Sequence, residues 1–240
     1  GSNEDADEEQ RILFGEQGLM TYPKPVLLMM KLLTSVRDER MTICDFFSGS
    51  GTTAEAVMRL NANRNKHRFI MIQLPEDLDK SYVSASGDEK KRIKKLVNYL
   101  DSNNRVHKLD QLGIERIIRA AKMIKEENPD TTADLGFKHY TLEEPNRTTL
   151  DKLEKFVPED QGMVLTNDIL TDFGTQTVLT TWLVRDGYGF NADVKAIDFE
   201  GYIGYYIDKH LYLIDANITD AAIAAIVDKY EMDGNFNAEN

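Results

Sequence analysis

The sequence predicts an α/β fold: a partial sheet with helices in its first part, then a small α+β module. Three observations carry this. Residues 42–60 read as a short apolar strand, a glycine turn and a helix. Residues 68–74 read as a second strand, which completes a β-α-β unit whose crossover is expected to be right-handed. Beyond about residue 147 the pattern changes to two helices, three short strands separated by turn residues, and a last helix.

The first strand rests on Ile43, Phe46 and Phe47, which favour extended backbone. Gly49 and Gly51 allow a tight turn and close approach of a ligand. Thr52 or Thr53 is placed to cap the helix, and Ala54, Val57, Met58 and Leu60 form its apolar face. The first N–H groups of such a helix have no internal partner and suit a negatively charged group.

The spacing Gly49-x-Gly51-x-x-Ala54 fits a dinucleotide fingerprint. No lysine follows the second glycine, which excludes a phosphate-cradling P-loop. Asp45 closes the strand, and a carboxylate there suits an ammonium group rather than a pyrophosphate. The acid that would hold a ribose about 20 residues on falls near Gln73, which is neutral. An aspartate beside an N–H-lined turn fits a zwitterionic amino-acid moiety, such as that of S-adenosylmethionine. A nicotinamide dinucleotide is the alternative ligand, and a brace for the turn is the alternative role for Asp45.

The stretch Asp45-Phe46-Phe47-Ser48-Gly49-Ser50-Gly51-Thr52-Thr53 resembles motif I of the amino-methylating DNA methyltransferases. Thr21-Tyr22-Pro23-Lys24-Pro25-Val26 resembles their motif X, and Phe69-Ile70-Met71-Ile72-Gln73-Leu74-Pro75-Glu76 their motif II. The order X, I, II is that of the β group. Gly113-Ile114-Glu115-Arg116-Ile117-Ile118-Arg119-Ala120 and Gly136-Phe137-Lys138 resemble, more narrowly, the modification subunit of type III restriction–modification systems.

The resemblance implies a partial Rossmann-like methyltransferase sheet that binds S-adenosylmethionine and methylates adenine N6 in DNA. It implies a cofactor site made by Lys24, Pro25, Asp45, Phe46, Phe47, Gly49, Ser50, Gly51, Thr52, Thr53, Gln73 and Glu76. Family members often carry an acid at the Gln73 position, so either Gln73 or Glu76 is left to hold the ribose. DNA, a restriction subunit and a second copy are the implied partners. The family's (Asp/Asn/Ser)-Pro-Pro-(Tyr/Phe/Trp) motif is absent, since no two of the six prolines are adjacent. In the β order that motif and the target-recognition region precede motif X. The expectation is a C-terminal portion that does not methylate DNA alone and touches DNA mainly through other regions. A non-catalytic scaffold for dimerisation or subunit contact is the competing reading.

The bulk properties agree. A net charge of −12 is unlike a free-standing DNA-binding domain, which is usually basic. The sequence has no run of 18 apolar residues and no signal peptide, so a cytoplasmic location is expected. One cysteine excludes an internal disulfide and a cysteine-rich zinc site, and no metal is expected. Cys44 is read as packing inside its strand.

In chain order, residues 1–11 read as a disordered acidic tail. The span 25–36 reads as a helix with Val26, Met29, Met30 and Leu33 on one face. Residues 88–98 carry Lys90, Lys91, Arg92, Lys94 and Lys95 on a helix that buries Ile93, Leu96 and Val97. Residues 113–127 read as a helix with Ile114, Ile117, Ile118, Ala121 and Ile124 inward and Arg116, Arg119, Lys122 and Lys125 outward. Those two basic rows are a candidate phosphate-binding patch, although a solvated face is the ordinary meaning of such a run. A strand is expected at 136–142 and a module boundary at 143–146, dividing 12–146 from 147–240. The second module is read as helices at 149–156 and 168–185, strands at 194–199, 202–207 and 211–214, and a helix at 219–230. Trp182 is placed in its core, Tyr202, Tyr205 and Tyr206 in cross-strand packing, and His210 in a turn.

Overall fold

The computed structural model describes residues 3–63, 65–142 and 164–238. It divides into two compact units, 1–137 and 138–240. The expected boundary at 143–146 and the helix at 149–156 lie outside the described residues.

In the first unit the elements are α1 (Asn3–Phe14), α2 (Val26–Ser35), β1 (Thr42–Asp45), α3 (Thr52–Ala62), β2 (Arg68–Met71), α4 (Leu78–Ser84), α5 (Gly87–Ser102) and α6 (Asp110–Glu127). β1 and β2 pair in parallel, with Asp45 opposite Met71, and α3 makes the crossover. Ladder bonds continue past the strand ends, from Ile72 N–H to Asp45 O and from Ser48 N–H to Ile72 O.

α3 is buried on nearly every side, from Thr52 through Met58. It lies against α2, α6 and β2. Ala54 and Met58 join Leu13, Phe14, Leu19, Leu78, Leu100, Leu112 and Ile124 in one core. α5 buries Ile93 and Leu96 as expected, with Tyr99 and Leu100 added. Burial pushes the Tyr99 hydroxyl up to about 12.

Several expectations are corrected. The acidic tail is helical: α1 buries Ala6, Gln10, Leu13 and Phe14, because its apolar residues reach the core through helical spacing. Residues 136–142 form no strand. α6 is rotated from its expected setting: Arg116 is 1% exposed and Glu115 is buried, while Ile118 is 43% exposed. Cys44 is exposed. It shares an uncovered side of the β1–β2 pair with Ile70 and Ile72, whereas Phe69 and Met71 face the core. Parallel sheets are normally covered on both faces.

The second unit holds α7 (Val164–Arg185), β3 (Lys195–Phe199), β4 (Tyr202–Ile207), β5 (His210–Tyr212) and α8 (Asp220–Met232). The strands form an antiparallel meander in the order β3-β4-β5. Glu200 and Gly201, both at positive φ, make a two-residue hairpin turn. The next turn is Asp208–Lys209, so His210 sits in β5 and not in the turn. Its Nδ1 lies 2.6 Å from the Tyr188 hydroxyl. One side of the meander packs Phe199, Tyr202 and Leu211 against Ala222 and Phe236. The other packs Tyr212 and Ile214 against Leu179 and Leu183 of α7. Trp182 is 38% exposed beside Tyr212, outside the core expected for it. α7 is broken at Gly174, whose φ of 76° is not helical. The tyrosines pack as expected: Tyr202 donates to Asp215 O, and Tyr206 stacks near Phe236.

Candidate cofactor site

β1 delivers Asp45 to the start of the glycine turn, and both carboxylate oxygens are engaged there. Oδ1 accepts from Phe47 N–H at 3.1 Å, and Oδ2 accepts from the Thr53 hydroxyl at 2.6 Å. β2 delivers Gln73, whose Oε1 accepts from Gly49 N–H at 2.8 Å. Its Nε2 donates to Leu74 O. The two strand ends and the turn are therefore laced together by side chains. Glu76 follows on an exposed stretch, with Oε1 accepting from Ser81 at 2.6 Å.

Gly51 is the N-cap of α3 at φ 79°, and no side chain caps that helix. The expected threonine cap is corrected: the Thr53 hydroxyl is directed to Asp45, and Thr52 Oγ1 lies 3.5 Å from Ser50 Oγ. Among the described residues no side chain accepts from the N–H groups of the first turn of α3. Phe46 and Phe47 are 64% and 89% exposed. Pro23 and Pro25 are buried and hold exposed Lys24 between them at the start of α2. Met20, just upstream, reaches the turn: its terminal methyl lies 3.4 Å from where a Cβ on Gly49 would be. A cavity of about 330 Å³ opens between Met20–Pro23 and the α5 residues Asp88 and Arg92.

Sequence reasoning missed Gly113, Glu55 and Arg116. A Cβ on Gly51 would come within 3.1 Å of Gly113 O, and one on Gly113 within 3.2 Å of Gly49 O. α6 thus meets the turn backbone to backbone. An isolated glycine inside a helical pattern is a signal for such an approach. Glu55, in the first turn of α3, accepts from Arg116 Nη1 at 2.7 Å.

The candidate basic patch does not assemble. Lys91 pairs with Asp88, Arg92 with Glu89, and Lys95 with Glu16. Lys90 lies over the Tyr82 ring. On α6, Arg119 pairs with Glu115 and Lys122 with Glu126. Most of the basic charge is already answered by acids in the same unit. Among the described residues no group of three or more His, Cys, Asp and Glu is arranged to hold a metal. Nor is any described helix long and apolar enough to cross a membrane.

A family model described as DNA methylase, of the N6/N4 methyltransferase type, matches residues 2–126, just over half of the chain. The chain belongs to the DNA methylase family. A second model, the type III R-M EcoP15I C-terminal domain, matches residues 173–240. The StyLTI Mod subunit of a type III restriction-modification enzyme from Salmonella typhimurium strain LT2 is 35% identical over 240 residues, 89% of this chain and 34% of the relative. The EcoP15I Mod subunit of Escherichia coli is 31% identical over 237 residues, 96% of this chain and 32% of the relative. The EcoPI Mod subunit of Escherichia phage P1 is 28% identical over 236 residues, 98% of this chain and 33% of the relative. The chain spans about a third of the length of these curated relatives.

The stretch that carries Glu76 is braced by a titratable group. Leu78 N–H donates to His107 O, and Leu109 N–H donates to Glu76 O. The His107 ring sits between two acids, with Nε2 2.8 Å from Asp101 and Nδ1 3.0 Å from Asp79. Hydrogen bonds to Asp101, then to Asp79, raise its pKa above the ordinary value. Its stabilisation is therefore full below the unfolded pKa of about 6.5 and is lost as pH rises through the raised folded value. Unfolding midpoints taken from pH 5.5 to 8.5 will fall more steeply for the unaltered chain than for His107→Gln. Parallel curves would mean that the bracket contributes nothing.

Proposed function

We propose that this chain supplies the S-adenosylmethionine-binding part of a DNA adenine-N6 methyltransferase, working as a modification subunit of the type III restriction–modification kind. One observation supports this most: an uncapped helix N-terminus follows a glycine turn that begins at a carboxylate. The donors of α3 suit the carboxylate of an amino-acid moiety, and Asp45 suits its ammonium. A carboxylate has about four acceptor positions, and Asp45 uses two within the chain. Lys24, Pro25, Gly49, Ser50, Gly51, Thr52 and Thr53 would enclose that end of the cofactor, and exposed Phe46 and Phe47 offer apolar surface beside it. When bound, the cofactor supplies a methyl group open to direct in-line attack by adenine N6, with no protein nucleophile required. Membership of the DNA methylase family weighs against the nicotinamide alternative.

Glu76 is the better ribose ligand. Gln73 is committed to Gly49 and Leu74, whereas Glu76 shows a bond to Ser81 through one oxygen. A charge-assisted bond is roughly twice as strong as a neutral one. Glu76→Gln is expected to weaken S-adenosylmethionine binding about fivefold, the equivalent of about 1 kcal/mol. A dissociation constant unchanged by Glu76→Gln would return the ribose to Gln73.

The uncovered side of β1 and β2, with exposed Leu27, Leu28 and Leu32 on α2, fits a sheet that is completed by further methyltransferase segments. The partial Rossmann-like sheet, residues 147–240 as a separate module, and DNA, a restriction subunit and a second copy as partners belong to the same reading. Titration calorimetry with S-adenosylmethionine, and NAD as control, tests it. Binding of the first alone supports the proposal, and a ligand at about 100 times its dissociation constant adds roughly 2.7 kcal/mol of stability. Binding of NAD alone overturns it. Because the (Asp/Asn/Ser)-Pro-Pro-(Tyr/Phe/Trp) motif is absent from these residues, the purified chain is expected to transfer no labelled methyl groups to DNA. Reproducible transfer to adenine would show that this motif is not required.

A further inference from the structure

Arg116 is 1% exposed, and Glu55, its partner, is 3% exposed. Arg116 Nη1 donates to Glu55 Oε2 at 2.7 Å, and Nη2 reaches Ser50 Oγ at 3.5 Å. The guanidinium also lies over the Phe14 ring at 5.3 Å. Glu55 Oε1 accepts from Arg59 Nε at 3.1 Å. A second acid joins the cluster: Glu9 Oε2 accepts from Val26 N–H, at the first residue of α2. The Glu9 carboxyl is pushed up by burial, and it is also influenced by Val26, Glu55, Arg116 and Arg59. The cluster therefore joins α1, α2, α3 and α6. It grips the glycine turn at Ser50 and the helix that begins after Lys24-Pro25.

Stability does not account for it. A buried ion pair is often matched or bettered by apolar residues of similar volume. Among the described residues the buried Arg116 Nε has no hydrogen-bond partner. What an arginine fork does supply is fixed geometry. It also balances Glu55, whose charge one turn inside α3 opposes the approach of a second anion to that helix end.

We propose that Arg116, acting through Glu55 and Ser50, is a positioning residue for cofactor binding: it holds the turn 49–52 and, with Glu9, the start of α2 in the arrangement that receives the ligand. This rests on the S-adenosylmethionine reading of the turn. Arg116 itself does not touch the cofactor.

The test compares the unaltered chain with the double variant Glu55→Leu/Arg116→Met and with Arg116→Lys. Each is measured by S-adenosylmethionine calorimetry, by urea unfolding, and by hydrogen exchange of the amides of residues 49–54 without ligand. The double variant is expected to keep its unfolding midpoint, to bind about tenfold more weakly, as misplaced contacts do, and to exchange faster at the turn. Affinity equal to that of the unaltered chain overturns the positioning role, because a merely structural pair would leave binding intact. If the double variant does not fold, Arg116→Lys decides: it keeps the charge and loses the fork, so weaker binding with unchanged stability is expected, and unchanged binding overturns the proposal. Failure of the unaltered chain to bind S-adenosylmethionine would overturn the cofactor reading and this role with it. Loss of binding confined to the variants supports both.

Discussion

Asp45→Ala will abolish measurable S-adenosylmethionine binding by this chain, or weaken it at least about 30-fold, the scale of a hydrogen bond to a charged group. The same carboxylate accepts from Phe47 N–H and from the Thr53 hydroxyl. The variant is therefore also expected to lose about 1–2 kcal/mol of stability, one net contribution for each bond. Asp45→Asn separates the two effects. It keeps the size and one acceptor, so most of the stability should return while the attraction for an ammonium group does not. Calorimetry with both variants reads the first effect, and urea midpoints read the second. Affinity retained by Asp45→Asn would reduce Asp45 to a brace for the turn.

Gly51→Val will strongly destabilise the first unit. Gly51 sits at φ 79°, in the left-handed region, which costs a residue with a Cβ roughly 1–2 kcal/mol. Its added Cβ would also meet Gly113 O at 3.1 Å and Gly113 Cα at 3.3 Å. Those neighbours are backbone of α6 and cannot turn aside as a side chain would. With overpacking added, the loss is expected to be about 3 kcal/mol. A urea series on the unaltered chain, Gly51→Ala and Gly51→Val will show graded falls in midpoint, largest for valine. Equal midpoints for alanine and valine would mean that the cost lies in φ and in the Cβ contact that both share, and that the seam has room beyond the Cβ.

The glycine turn was legible because its chemistry is local. Asp45, Gly49, Gly51 and the apolar run of α3 lie within about two turns of chain, and strand, turn and helix each have a short-range cause. The hairpin at Glu200-Gly201 was legible for the same reason. Elements that residue order leaves illegible are those whose local signal is overridden by contacts from elsewhere. α1 is acidic enough to read as a tail, yet its Leu13 and Phe14 enter the main core. The face of α6 was assigned by hydrophobicity, which sends arginine outward.

That last case marks the division most clearly. Residue order alone determined the β-α-β unit, the acid at the end of β1, and the family resemblance later matched by the DNA methylase model. Only the folded chain decided that Arg116 points inward, because Glu55, 61 positions earlier, is buried where a guanidinium can meet it. Burying a charge is prohibitive alone and tolerable with a hydrogen-bonded partner. Helical periodicity contains no information about that partner, so the side of α6 that faces the turn is set by tertiary structure.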